Sequence, residues 1–378
     1  MSNGSIKMPV YLKLAQILIG ITVFFFILYA GQEIIIPLVF AAMISILLNP
    51  VILFLCRKKI PRVIAILLSL TVTMLLIAAI FYFFISQISM FSESFPLFRQ
   101  KFLVFFNDAE SWISHTFNVS KWKVDAWVTK TRTQSMNNET EVIGKTVGTI
   151  SEVLTTFVVM PVYTFMMIYY KPLLMEFISK LFPKEHHVVV VEVLTETKGL
   201  IQSYLIGLLI EGILVAILNS TALLILGIPY AILLGVIGAL LNVIPYIGGV
   251  IAVALPMLMA LATMPPLSAL YVLIAYVIVQ FIDNNFFVPK IVASKVKINA
   301  LVSIIVVLAG NAIWGVPGMF LSIPLTAIIK VIFDRIEPLK PFGFLLGDNQ
   351  PDISKQFFVV SRRARSAAGT ADQKKTAK

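Results

Sequence analysis

Apolar residues run in long blocks along this chain, and polar residues gather between the blocks. The blocks at residues 14–30, 34–56, 63–86, 153–170, 201–226 and 267–282 read as helices crossing a membrane, because a bilayer core needs roughly 20 apolar residues in helical form. Two further blocks are broken. Residues 227–256 are almost wholly apolar, yet Asn242, Pro245, Gly248 and Gly249 stand at their centre. Proline removes a helix hydrogen bond and glycine permits backbone angles that other residues avoid. The pattern predicts two short arms over 231–262, joined by an irregular elbow. Residues 300–332 repeat it, with WGVPG as the break and Asn311 beside it. Neither arm of either pair spans a bilayer comfortably. Irregular backbone at membrane depth is tolerated only inside protein or beside a wet cavity, and broken helices of this kind mark transporter binding sites.

The stretches between blocks differ in kind. Residues 87–150 carry charges of both signs and Trp112, Trp122 and Trp127, and read as a small external helical domain. Residues 171–199 place Leu173, Leu174, Phe177, Ile178, Leu181 and Phe182 on one helical face, as in a helix lying in the membrane interface. Residues 334–378 read as a largely disordered basic tail, with Pro338 and Pro341 ending any helix. The domain expectation is therefore 1–86 for the first three helices, 87–150 external, 151–333 a transport core, and 334–378 a cytoplasmic tail.

Composition sharpens the class. The chain has 378 residues, 59% hydrophobic and 13% charged. Soluble domains carry about 25% charge, so this is an all-α polytopic membrane protein. The formal charge of +11 does not point to nucleic acid, because the basic residues sit in loops and at the C-terminal end. Arg57, Lys58, Lys59 and Arg62 are packed together, which places that loop in the cytoplasm of a cell inner membrane. By parity, 87–150 is outside and both ends are inside. The first apolar block is longer than a leader core and is kept as a helix. The lone Cys56 allows no disulfide within the chain.

Candidate chemistry is sparse. Glu211 lies in the apolar run LIGLLIEGILVAIL, where a charge is costly in hydrocarbon and should face a cavity. Asn242 and Asn311 offer donor and acceptor atoms beside the two breaks. Gln280, Asp283, Asn284 and Asn285 group at the end of one helix, where they line a hydrophilic path or meet headgroups. Lys330 snorkels to the inner surface or pairs with Glu211. His186 and His187 are adjacent and so point apart, which does not suit a metal. There is no nucleotide-binding loop, HExxH or GxSxG, so no cofactor and no enzyme activity are expected.

The pieces LLNP at 47–50, GIPYAILLGVIGALLNVIPYIGG at 227–249, DNN and VPK within 283–292, and GVPGMFLSIPLTAIIKVI at 315–332 resemble the autoinducer-2 exporter family of bacterial membrane proteins. That resemblance implies a secondary transporter without cofactor. Its cargo is the quorum-sensing signal autoinducer-2 in some members, and others perform sodium/proton antiport. It implies glutamine at the position of Glu211 in other members, and a homo-oligomer, with a pentamer as the suggested form. The substrate path expected from residues and resemblance together comprises Glu211, Asn242, Pro245, Gly248, Gly249, Gln280, Asp283, Asn284 and Asn311. A non-transporting membrane scaffold or receptor is the alternative of another class.

The topology has a direct test. In a Cys56-free background, a cysteine at position 125 should react with an impermeant maleimide in intact cells. Labelling only after the cytoplasmic side is opened would reverse the orientation.

Overall fold

The computed structural model describes residues 9–83, 85–86, 159–242, 247–292 and 298–348. The expected external domain at 87–150, Pro245 at the first elbow and residues 349–378 of the tail lie outside these. Six helices among the described residues are long and apolar enough to cross a membrane. The protein is an all-α polytopic membrane protein.

Helices α1 (Val10–Ala30) and α2 (Gln32–Arg57) are joined at Gly31. Helix α3 (Arg62–Phe83) follows the basic loop, and α4 (Val159–Tyr169) returns. The sequence places an interfacial helix next, and α5 (Lys171–Leu181) has no buried residue. The expected fifth span is longer than its apolar block suggested. Helix α6 runs unbroken over His187–Ile225, 39 residues, or about 58 Å at 1.5 Å per residue. A bilayer core is about 30 Å thick, so the first third of α6 stands beyond it as a polar extension of the same rod.

Helices α7 (Ala231–Asn242) and α8 (Ile247–Thr263) are the two arms of the first broken block. They lie antiparallel and very close. A Cβ on Gly248 would meet the Leu241 carbonyl oxygen at 1.7 Å, and one on Gly238 would lie 3.6 Å from the Ala252 Cβ. Helix α9 (Leu267–Ile282) continues into a wide π-type turn over Asp283–Val292. Sequence reading placed a loop there. Pro289 cannot donate a ladder bond, and the Asn285 amide takes up the Phe281 carbonyl at 2.8 Å, so the helix widens instead of stopping.

Helix α10 spans Ala300–Arg335, but Gly315 inside it has φ 60° and ψ −140°, a conformation open only to glycine. The chain folds back there. A Cβ on Gly318 would lie 2.0 Å from the Gly310 carbonyl oxygen, and one on Gly310 would lie 3.1 Å from the Ser322 Cβ. Residues 310 and 322 would be about 18 Å apart along a straight helix. Residues 300–314 and 316–335 are therefore antiparallel arms.

The tail expectation needs a correction. A single 3-10 turn at Glu337–Leu339 and helix α11 (Lys340–Leu346) follow. Pro338 and Pro341 sit in the first turns of these elements, where a missing N–H costs nothing. Asn299 donates from its side chain to the Leu345 carbonyl at 2.6 Å and from its backbone to the Leu346 carbonyl at 3.1 Å, so α11 closes the base of the folded α10. Lys330 pairs with Asp334 at 2.5 Å, one turn on, and not with Glu211.

Apolar clusters hold the helices. Leu48, Ile52, Ala65, Ile66, Leu70 and Ile168 join α2, α3 and α4. Leu223, Ala231, Ala252, Ala260, Val272 and Tyr276 are part of the cluster that joins α6 to α9. Met43, Ile201 and Leu321 join the two groups, and the Phe40 and Phe320 rings stack there at 5.6 Å. Helix α1 buries none of its apolar window. One polar bond ties it in: the indole of Trp314, just before the α10 break, donates to the Leu28 carbonyl at 2.9 Å. Leu28 is in the last turn of α1, where carbonyls lack helical partners.

Gly318→Ala is expected to lower stability by about 1–3 kcal/mol through overpacking of the α10 arms. Gly20→Ala, on α1 with nothing within 4 Å of its Cβ, should be neutral or stabilising by about 0.5–1 kcal/mol. Melting of the two variants in detergent distinguishes a folded-back α10 from a straight one, in which both changes would behave alike.

Candidate functional site

One stripe of α6 faces inward: Tyr204, Gly207, Glu211, Val215, Asn219 and Leu223 are all buried. The three-and-four spacing is that of a single helix face. Small residues on the partner helices let them approach this stripe. A Cβ on Gly207 would lie 2.8 Å from the Ile291 carbonyl oxygen, and one on Gly235 would lie 2.3 Å from the Ser220 hydroxyl. Helix α6 thus sets the level of everything packed on it. The π-type turn crosses at 207, and α7 crosses at 219 and 220. Glu211 lies between these crossings, at the depth of the first elbow.

At that depth the polar groups gather. The Asn242 amide, at the end of α7, donates to one oxygen of Asp283 at 2.8 Å. The Gln280 amide reaches the same oxygen at 3.4 Å and the Asn284 side-chain oxygen at 3.3 Å. Gln280 also borders the start of α8, since a Cβ on Gly249 would lie 3.5 Å from its oxygen. Asp283 is only 1% exposed. Glu211 is also buried, on α6, which packs against the π-type turn that begins at Asp283.

Four predicted residues, Asn242, Gln280, Asp283 and Asn284, are joined by hydrogen bonds, with Gly249 beside them, and Glu211 is buried on the neighbouring α6. Gly248 is taken up in packing against Leu241. Asn311 is exposed on α10 and does not join the group. Asn285 turns to its own backbone.

Two residues that the sequence reading passed over complete the site. Asn219 and Tyr276 are both buried, and the tyrosine hydroxyl, the Asn219 side-chain oxygen and the second Asp283 oxygen have no hydrogen-bond partner among the described residues. Tyr276 and Asn219 come together beside Gly238: a Cβ there would lie 3.1 Å from the Tyr276 hydroxyl and 3.4 Å from the Asn219 amide nitrogen. A helical signal for both existed. Asn219 is two steps of four beyond Glu211, and Tyr276 is one step of four before Gln280. Buried polar atoms without partners are rare and costly, about 1–3 kcal/mol each. Those of Asn219 and Tyr276 beside Gly238, with that of Asp283 further along the same helical run, are suited to a small polar or cationic ligand.

Comparison with known proteins came to the same class. The model of the AI-2E family transporter matches residues 17–337. A provisionally named transport protein of Bacillus subtilis (strain 168), YrrI, is 28% identical, over 80% of this chain and 86% of its own. A second from that organism, YueF, is 24% identical, over 79% and 83%. The AI-2 transport protein TqsA of Escherichia coli (strain K12) is 22% identical, over 84% and 90%.

Tyr276→Phe deletes a buried hydroxyl that the fold leaves without a partner. Its melting midpoint is expected to stay unchanged or rise, while transport in proteoliposomes falls several-fold. A variant that loses stability and keeps full transport would show that the hydroxyl serves packing.

Proposed function

Since the chain belongs to the AI-2E transporter family, we propose that it is a secondary transporter that moves a small polar solute outward across the bacterial inner membrane, where it is a multi-pass protein. The observation that carries this reading is the set of buried polar atoms of Asn219, Tyr276 and Asp283 that have no hydrogen-bond partner among the described residues. A scaffold gains nothing from such atoms, whereas a carrier needs groups that a cargo can satisfy. Autoinducer-2 is the first solute to test, because TqsA is named for its transport.

In this mechanism the α7–α8 and α10 hairpins enter from opposite faces and meet near the bilayer midplane. Asn242, Gln280, Asp283, Asn284, Asn219 and Tyr276 contact the solute, and the elbow residues Pro245, Gly248 and Gly249 shape the backbone around it. Asn311 lines the approach along α10. Access alternates as the α6–α10 unit moves against the α1–α3 frame, the apolar contact at Met43, Ile201 and Leu321 being the surface that slides. Residues 87–150 form an external domain and 151–333 the transport core. The unpartnered apolar face of α1 supports assembly into a homo-oligomer. The resident groups suffice for this work, so the reading includes no catalysis and no cofactor.

A cation/proton antiporter is the second reading, and it rests on the burial of two carboxyls, Glu211 and Asp283, on elements packed together. One negative charge held between two such groups suits a sodium ion or a proton.

Counterflow in proteoliposomes with a panel of small polar solutes and with sodium tests both. Flux of a solute supports the first reading and sodium–proton exchange the second. The absence of both from folded protein leaves a non-transporting scaffold. Glu211→Gln should keep the fold and abolish the pH dependence of transport, and an unchanged pH profile would remove Glu211 from coupling.

A further inference from the structure

On the face that carries the basic loop, three helices bring cations together. Arg62, the first residue of α3, donates to the Ile168 carbonyl at 2.7 Å, filling one of the carbonyls left free at the end of α4. Lys171, three residues further along, donates to the Asn49 side-chain oxygen of α2 at 3.1 Å. Lys198 of α6 completes the group. Although Lys171 as a residue is exposed, partial burial of its ammonium group, then the charges of Lys198 and Arg62, push its pKa below the usual lysine range. No carboxylate counters them among the described residues. The two acids nearest on α6, Glu192 and Glu196, are both taken by Arg335. Lys171 and Arg62 each keep further N–H donors, since a lysine has three and an arginine five.

The surroundings are those of a lipid contact. Val162, Met166 and Tyr169 form an exposed apolar stripe on α4 that leads to the cations. Helix α5 adds exposed Leu173, Phe177 and Leu181 at spacings of four. The Tyr169 and Tyr170 rings meet at 5.0 Å where aromatic residues commonly sit at a headgroup boundary.

We infer that Arg62, Lys171 and Lys198 bind the phosphate headgroup of an anionic phospholipid of the inner leaflet, with an acyl chain along the exposed stripe of α4. Such a headgroup relieves the mutual repulsion of the three cations and bridges α3, α5 and α6, tying the frame to the unit that carries Glu211. Basic pockets between membrane helices on the cytoplasmic side are recognised as headgroup sites.

The test uses the full chain, delipidated in detergent, with phosphatidylglycerol, phosphatidylcholine or inorganic phosphate added. Melting midpoints and native mass spectra are recorded. Phosphatidylglycerol should stabilise the protein and survive as a bound adduct, while the other two additives should not. In a K171Q/K198Q variant the same stabilisation should need roughly 10–30-fold more phosphatidylglycerol, and K171R/K198R should restore it. Lys198→Gln alone breaks no hydrogen bond of the fold and should weaken the effect about 5-fold, which keeps the test readable if the double variant folds poorly. Equal response of wild type and glutamine variants would overturn the site. So would an equal response to phosphatidylcholine, or to phosphate alone.

Discussion

Backbone N–H and C=O groups have no water to bind at the centre of a bilayer, and that constraint governs the arrangement of this protein. A helix satisfies its own backbone; an interrupted helix does not. Both interruptions here are folded into antiparallel pairs, with arms so close that glycines at 248, 310 and 318 are required where they touch. The first pair is then covered by α6 and α9. The long α6 gives this cover its level, and the polar side chains that gather at its midpoint are those that the interruption needs around it.

The two interruptions are not chemically equal. The first is polar: Asn242 meets Asp283, with Gln280, Asn219 and Tyr276 around them. The second is tight, with Gly310 against Gly318, and its polar groups, Ser322 and Trp314, each bond to a backbone carbonyl. Asn311, which looks like the counterpart of Asn242 in sequence, is on the outside. The likeness of the two breaks is therefore one of backbone and not of side chains.

This division also explains what could be read before the structure was known. Pro and Gly interruptions in apolar runs are strong local signals, and the chain folds back at Gly315 and between α7 and α8 as they predict. A carboxylate in an apolar run is equally plain, and Glu211 is buried as expected. Asn219 and Tyr276 escaped notice because asparagine and tyrosine are unremarkable in such runs. Only the pairing of α6 with α7 and α9 shows that their polar ends meet. The continuous α6 was missed because its first third is polar. Local composition marks where an apolar block begins, but not whether the helix does. The π-type turn and α11 depend on tertiary partners, the Phe281 carbonyl and Asn299, which no local pattern displays.

Helix α6 also has a mechanical consequence. It is a rod whose first turns are gripped by Arg335, through Glu192 and Glu196, and whose buried acid lies some seventeen residues further on. That separation is about 26 Å. A tilt of roughly 10° about the level of Glu211 would swing the gripped end through about 4–5 Å, by the same helical dimensions. Because Arg335 ends the second arm of α10, that swing would drag the arm with it. The ion pairs thus couple the far end of the rod to the second hairpin.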